Sequence, residues 1–353
     1  MQALAIKYRP KSFSDVTEQE SIKIILQQQL ESNSIQHCYL FVGGAGTGKT
    51  TCARIFANEI NKGQGSPIEL DAASNNSVDD MRELIQQAQT KSLTSEYKVF
   101  IIDECHMITV QGWNAILKLI EEPPAKSIFI FCTTDPQKIP KTIISRVQRY
   151  DFQRISQRGI VERLEYIVGA EFSIRDELDY LSKMPIGYVG ALEYIAKIAD
   201  GGMRDAITLL DKCLAYSTEL TLENVVKALG TVDYSIMFKL TDAFFMKDGQ
   251  KAICEIIEDI HGSGRDVKQF IKQYTHFLLD IQKYSIGCDW RYINIPRLNT
   301  YEEWLESLSD SQLATLKNLL ETVIKLNSDI KYSATAKLDS EAVLMLFQAE
   351  VNQ

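Results

Sequence analysis

The chain has 353 residues, of which 45% are hydrophobic and 24% charged, with a formal net charge of −9. These are the proportions of an ordinary globular protein long enough for two or three domains, and the acidity excludes a uniformly basic nucleic-acid coat, so any DNA contact must come from a local patch. No apolar run approaches the ~20 residues of a membrane span and the N-terminus lacks a signal-peptide layout, so a cytoplasmic protein without a membrane partner is expected.

Residues 1–155 alternate short β-rich runs, at 39–42, 68–71, 99–103, 128–132 and 149–152, with amphipathic helical patterns. That alternation predicts a parallel sheet with helices on both faces. Strand signals then stop. From 156 to about 218 the pattern is helical, with Met203, Ile207, Leu210 and Leu214 at helix spacing. It is helical again from about 220 onward, for example through Leu313, Leu316, Leu320, Val323 and Ile324 after an expected cap at Ser311. The expected division is therefore 1–155, 156–220 and 221–353.

The apolar run Cys38-Tyr39-Leu40-Phe41-Val42 leads into Gly43-Gly44-Ala45-Gly46-Thr47-Gly48-Lys49-Thr50. This is the G-x-x-x-x-G-K-[ST] pattern of a phosphate-binding loop in its proper strand-to-helix setting. Glycines let successive amides turn toward phosphate oxygens, and the helix beginning near Lys49 adds its positive end. Lys49 is expected at the β- and γ-phosphates and the Thr50 hydroxyl on Mg²⁺, with Thr51 following in the same turn.

Such a loop alone fits kinases, GTPases and motors, so a second signal has to choose among them. The strand 99–103 ends in Asp103-Glu104. In a parallel sheet ligands sit at the carboxyl ends of the strands, which puts Asp103 beside Thr50 to hold Mg²⁺ and leaves Glu104 to polarise a water. The acid pair therefore points to hydrolysis. His106 is read as a structural histidine beside the site rather than a base. Thr133-Thr134 at the next strand end could bond the γ-phosphate or the water, although this dipeptide also serves ordinary turns. Arg146 and Arg204 suit the charge developing on a transferring phosphoryl group, although lone arginines more often form surface ion pairs.

In chain order, Tyr8-Arg9-Pro10, the phosphate loop, Asp71-Ala72-Ala73-Ser74, Asp103-Glu104-Cys105-His106, Asn114-Ala115-Ile116-Leu117-Lys118 with Glu121-Glu122-Pro123-Pro124, Thr133-Thr134-Asp135-Pro136, Ser145-Arg146 and Met203-Arg204-Asp205 closely resemble the gamma/tau subunits of the bacterial DNA polymerase III clamp loader. The likeness is dense to about residue 220 and thins beyond it, where Gly264-Arg265-Asp266 is a weaker echo. It implies an AAA+ P-loop NTPase domain with a five-stranded parallel sheet and a helical lid, followed by an all-α collar that oligomerises. By this resemblance Arg146 is an arginine finger serving a neighbouring subunit and Arg204 a lid sensor at the γ-phosphate. Thr133, with Thr134 as the alternative, is the strand-end sensor. Tyr8, Arg9 and Pro10 pack around adenine and ribose, and Lys118 is a candidate relay to Glu104. The implied activity is ATP hydrolysis with Mg²⁺. The implied partners are delta-like and delta-prime-like subunits, further copies of the chain, the sliding clamp, and primer-template DNA bound without sequence specificity.

The departures from that pattern also carry expectations. Relatives usually have a four-cysteine zinc module where this chain has only residues 61–67, and no cysteine lies between Cys52 and Cys105, so zinc is not expected. Val147 stands where relatives commonly have cysteine after the finger. Asn75-Asn76-Ser77 replaces residues that are often basic, leaving Asn75, Ser77 and Arg82 as DNA-contact candidates with a weak, less salt-sensitive grip. The chain ends without the long tail of the tau form. Other readings are a different AAA+ DNA-processing ATPase, such as a branch-migration motor, and a structural subunit that binds ATP with little hydrolysis; the intact set Lys49, Thr50, Asp103, Glu104 and Arg146 argues against the second.

Overall fold

Five strands form one parallel sheet in the order β2-β3-β4-β1-β5: β1 is Cys38–Val42, β2 Ile68–Asp71, β3 Lys98–Asp103, β4 Ser127–Thr133 and β5 Gln148–Asp151. The structure is a computed structural model and describes residues 2–92, 94–174, 188–229 and 234–351. All five residues of β1 and all seven of β4 are buried, which is why these strands read as continuous apolar runs rather than as alternation. Tyr39 and Phe41 pack with Val99, Ile101, Ile128 and Ile130 on one face, while Leu40 and Val42 pack with Phe100, Ile102, Phe129 and Phe131 on the other.

The helices that cover those faces are α2 (Glu20–Glu31), α3 (Lys49–Ile60), α4 (Val78–Gln89), α5 (Val110–Glu121) and α6 (Lys141–Ile144), while the short α1 (Leu4–Lys7) packs against the later helix Met203–Tyr216. Leu26 of α2 and Phe56 of α3 enter the first core; Met81 of α4, Trp113 and Ile116 of α5 and Ile143 of α6 enter the second. Three further helices, α7 (Gln157–Ile174), α8 (Tyr188–Ile198) and α9 (Met203–Tyr216), pack on one another. Residues 175–187, inside the helical stretch expected over 156–218, lie outside the described residues.

Parallel pairing brings the carboxyl ends of the strands to one edge. Val42 is in register with Thr133, and Asp71 with Asp103, so the turn after β1, the acids after β3 and the threonines after β4 are gathered by the sheet itself.

The chain divides into two compact units, Met1–Thr218 and Glu219–Gln353. The second contains α10 (Leu222–Leu229), α11 (Tyr234–Ala243), α12 (Gly249–Gly262), α13 (Val267–Ser285), α14 (Asn299–Glu306), α15 (Asp310–Asp329) and α16 (Ala336–Val351). Its own core includes Phe238, Phe244, Ile257, Tyr274, Leu316, Val323 and Leu344. The cap expected at Ser311 is at Ser309 instead. Ser309 and Gln312 form a capping box in which each side chain meets the other's backbone, and the Ser-x-x-Gln spacing selects the earlier serine.

Candidate nucleotide site

After β1 the backbone must turn sharply into α3, and glycine permits this. Gly46 and Gly48 have φ of +69° and +101°, a region costly for residues with a Cβ. At Gly46 a Cβ would also lie 3.0 Å from Gly202 Cα, and the Met203 amide donates to the Gly46 carbonyl at 3.0 Å. The loop is thus joined directly to the start of α9.

Lys49, the first residue of α3, is 6% exposed. Its Nζ donates to the carbonyl oxygens of Gly43 (2.9 Å) and Gly44 (2.7 Å). Burial lowers the pKa of its ammonium, against the opposing pull of charges that include Glu104 and Asp103. A desolvated ammonium of this kind gains from an anionic ligand. Thr50 Oγ1 donates to Asp103 Oδ2 at 2.7 Å, so a hydroxyl and a carboxylate sit side by side. Both are hard oxygen donors, and they fit Mg²⁺.

Glu104 follows with φ of +46°, a left-handed backbone rare outside glycine, asparagine and aspartate. Its amide donates to Asp103 Oδ1 (3.0 Å), and its Oε2 accepts from Thr134 Oγ1 at 3.0 Å and lies 3.3 Å from His106 Nδ1. Thr133 is placed differently. It is fully buried, with its hydroxyl 3.2 Å from His106 Nδ1 and accepting from the Asp135 amide at 3.0 Å. Of the two threonines it is Thr134 that touches Glu104. Lys118 is exposed on α5, whereas the Glu104 carboxylate is taken by Thr134 and His106.

A cavity of about 450 Å³ opens at this edge, lined by Tyr8, Arg9, Pro10, residues 45–51, Asp103, Glu104 and Arg204, among others. Its size is that of an ordinary small-ligand site. Gly43 and Gly44 support it through their carbonyls on Lys49. The Tyr8 hydroxyl has its pKa pushed up to about 12, first by burial and then by the neighbouring Glu171 carboxylate, which keeps it a neutral donor.

The structure adds residues that local sequence gives no reason to select. Arg163 of α7 lines the cavity, donates from Nη2 to the Tyr8 carbonyl at 2.9 Å and lies over the Tyr166 ring. Thr17, Arg54, Ile155 and Asp205 also line it. In the sequence Arg163 is one more helical arginine; only contact across 155 positions distinguishes it.

Other candidates lie off the cavity. Arg146 is held by Glu121, Thr142 and Ser145. Ser77 caps α4 through a capping box with Asp80, Arg82 pairs with Asp79, and Asn75 Nδ2 donates to the Asp71 carbonyl. The starts of α4 and α5 are tied together by Thr109, whose amide and hydroxyl both donate to the Asn76 carbonyl at 3.2 Å.

A family model described as DNA polymerase III, delta subunit, matches residues 66–156, and one described as DNA polymerase III clamp loader subunit, ATPase lid domain, matches residues 188–219. The chain is 34% identical to the tau subunit of DNA polymerase III from Bacillus subtilis, over 98% of this chain and 62% of that protein. Its curated relatives, at 29–36% identity over most of the chain, are gamma, tau and gamma/tau subunits of DNA polymerase III. The gamma/tau subunit of Mycobacterium tuberculosis is 36% identical over 76% of this chain and 48% of its own length, and the gamma subunit of Buchnera aphidicola is 29% identical over 98% of both. The chain thus spans about half to three-fifths of the first two of these relatives. Among solved structures, a RuvB variant from Thermotoga maritima aligns with a TM-score of 0.50 and 19% identity over 84% of this chain and 91% of that one, a likeness of fold. The five-stranded parallel sheet, the matched ATPase lid and the helical second unit agree with the fold that the resemblance implied. Among the described residues no helix is long and apolar enough to cross a membrane.

Proposed function

We propose that the chain is an ATP-hydrolysing motor subunit of a DNA-replication clamp loader. In this reading residues 1–155 form the nucleotide domain, 156–220 the lid and 221–353 an oligomerising collar. ATP binding orders this chain with copies of itself and with delta-like and delta-prime-like subunits into an assembly that opens a sliding clamp. Arrival of primer-template DNA then triggers hydrolysis, and the closed clamp is released. The DNA is held through backbone phosphates, so no sequence preference is expected.

The reading is carried by one observation. The phosphate loop, Asp103-Glu104 and Arg204 of α9 line a single cavity, while Arg146 lies outside it. Loop amides and Lys49 bind the β- and γ-phosphates, and Tyr8, Arg9 and Pro10 flank the base and ribose. Thr50 and Asp103 hold Mg²⁺, which when bound offsets phosphate charge. Glu104 takes the proton of the attacking water, and its contact with Thr134 supports Thr134 over Thr133 as the strand-end sensor. Arg204 links lid and nucleotide in cis, and Arg146 completes the site of an adjoining subunit.

The deciding assay is steady-state ATPase of the chain reconstituted with clamp-loader partners, with and without clamp and primer-template DNA. Joint stimulation by both is expected, with Lys49→Ala abolishing nucleotide binding as the control. ATPase indifferent to clamp and DNA would refute the clamp-loading role and leave a nucleotide hydrolase of another kind.

A further inference from the structure

Helix α5 ends against a local rule. Its last residue is Glu121 and its C-cap is Glu122, yet a helix C-terminus carries a partial negative charge that disfavours carboxylates and favours cations. Pro123-Pro124 then prevents the helix from continuing. Two acids at this position gain nothing from their own helix, which directs attention to what they touch.

Glu121 Oε1 forms an ion pair with Arg146, 2.8 Å from its Nε. Arg146 Nη1 donates to the Thr142 carbonyl at 2.7 Å and to Ser145 Oγ at 3.2 Å. Two different elements thus engage the guanidinium: the turn of α6 by two hydrogen bonds to Nη1, and the end of α5 by an ion pair on the Nε side. Because the guanidinium is planar, fixing Nε and Nη1 also fixes where Nη2 points. Among the described residues Nη2 has no hydrogen-bond partner. With the side chains 38% and 45% exposed, the pair adds little to folding stability. What it removes is the arginine's conformational freedom, before any ligand is met.

We propose that Glu121 is a positioning residue for Arg146: it holds the guanidinium at the edge of the subunit with Nη2 presented to the γ-phosphate of nucleotide bound by an adjoining subunit. This rests on the reading of Arg146 as acting in trans. Glu121 itself touches no substrate. Its effect is on turnover in the assembly and not on nucleotide affinity, because neither it nor Arg146 lines the cavity of its own chain.

The test is a double-mutant cycle in the reconstituted complex, with kcat and KM for ATP measured in the presence of clamp and primer-template DNA for Glu121→Ala, Arg146→Ala and the double variant. Glu121→Ala is expected to lower kcat by ~10-fold at unchanged KM, short of the ~10³–10⁵ that an arginine finger can supply. The double variant should be no slower than Arg146→Ala alone. If the Glu121→Ala loss multiplies that of Arg146→Ala, or appears in KM alone, the positioning role is overturned. An impaired Arg146→Ala beside a fully active Glu121→Ala removes Glu121 while keeping the finger. A fully active Arg146→Ala removes the trans reading, and the positioning role falls with it.

Discussion

Glu104 sits at the end of β3 in a backbone conformation that costs on the order of 1–3 kcal/mol for a residue with a side chain, and it is held there by Asp103, Thr134 and His106. The strained turn swings its carboxylate away from Asp103, so that one acid pairs with Thr50 while the other reaches the end of β4. Two adjacent carboxylates thereby acquire separate partners. Glu104→Gln keeps the shape and an acceptor for Thr134 but removes the proposed base. Nucleotide titration should find ATP affinity nearly unchanged while steady-state turnover drops ~10²–10⁴-fold; turnover at the original rate would take Glu104 out of the chemistry. Lys49, Thr50, Asp103 and Glu104 were legible because each is fixed by its distance from a strand end. The pairing of Thr134 rather than Thr133 with Glu104 was not, since neighbours at a strand end point in different directions and periodicity does not say which turns inward. Arg163 was equally hidden, its partner lying across the fold.

At the scale of elements, sheet order and helix placement follow from β1 and β4 being buried on both faces, a pattern visible in the sequence as unbroken apolar runs. Boundaries were less legible. β4 extends through Thr133, a polar residue buried in the sheet's edge region, and α15 begins one residue after Ser309. The serines at 309 and 311 are equally plausible caps by residue type, and the choice is made by Gln312, which reaches back to the Ser309 amide at 3.0 Å. Ser309→Ala should cost about 1 kcal/mol of local stability, whereas Ser311→Ala, whose hydroxyl only meets that of Ser309, should change it by less than ~0.5 kcal/mol. Amide hydrogen exchange over residues 310–314 distinguishes them: faster exchange is expected in the first variant alone, and equal rates in both would remove the cap from Ser309.

For the molecule as a whole, the two units have separate cores, and every residue lining the cavity falls within the first of them. Partner identity was never legible in physical terms. Apolar periodicity in α10–α16 specifies helices and a core, but not what their outer faces meet, and the proposed clamp-loading role draws on the likeness to gamma/tau subunits for that. The separation of cores does make a prediction. A fragment ending at Thr218 retains the phosphate loop, both acids, Arg204 and Arg163, so its affinity for ATP should stay within about threefold of the full chain, less than ~0.7 kcal/mol. Stimulation by clamp and DNA should vanish, because in the proposed reading Arg146 completes a neighbouring site only where subunits are held side by side. Circular dichroism establishes that the fragment is folded, and titration with a fluorescent ATP analogue measures its affinity. A folded fragment that bound more than tenfold weaker would mean that residues beyond 218 help to form the nucleotide site. A fragment that kept its stimulation would mean that the helical second unit is not what brings the subunits together.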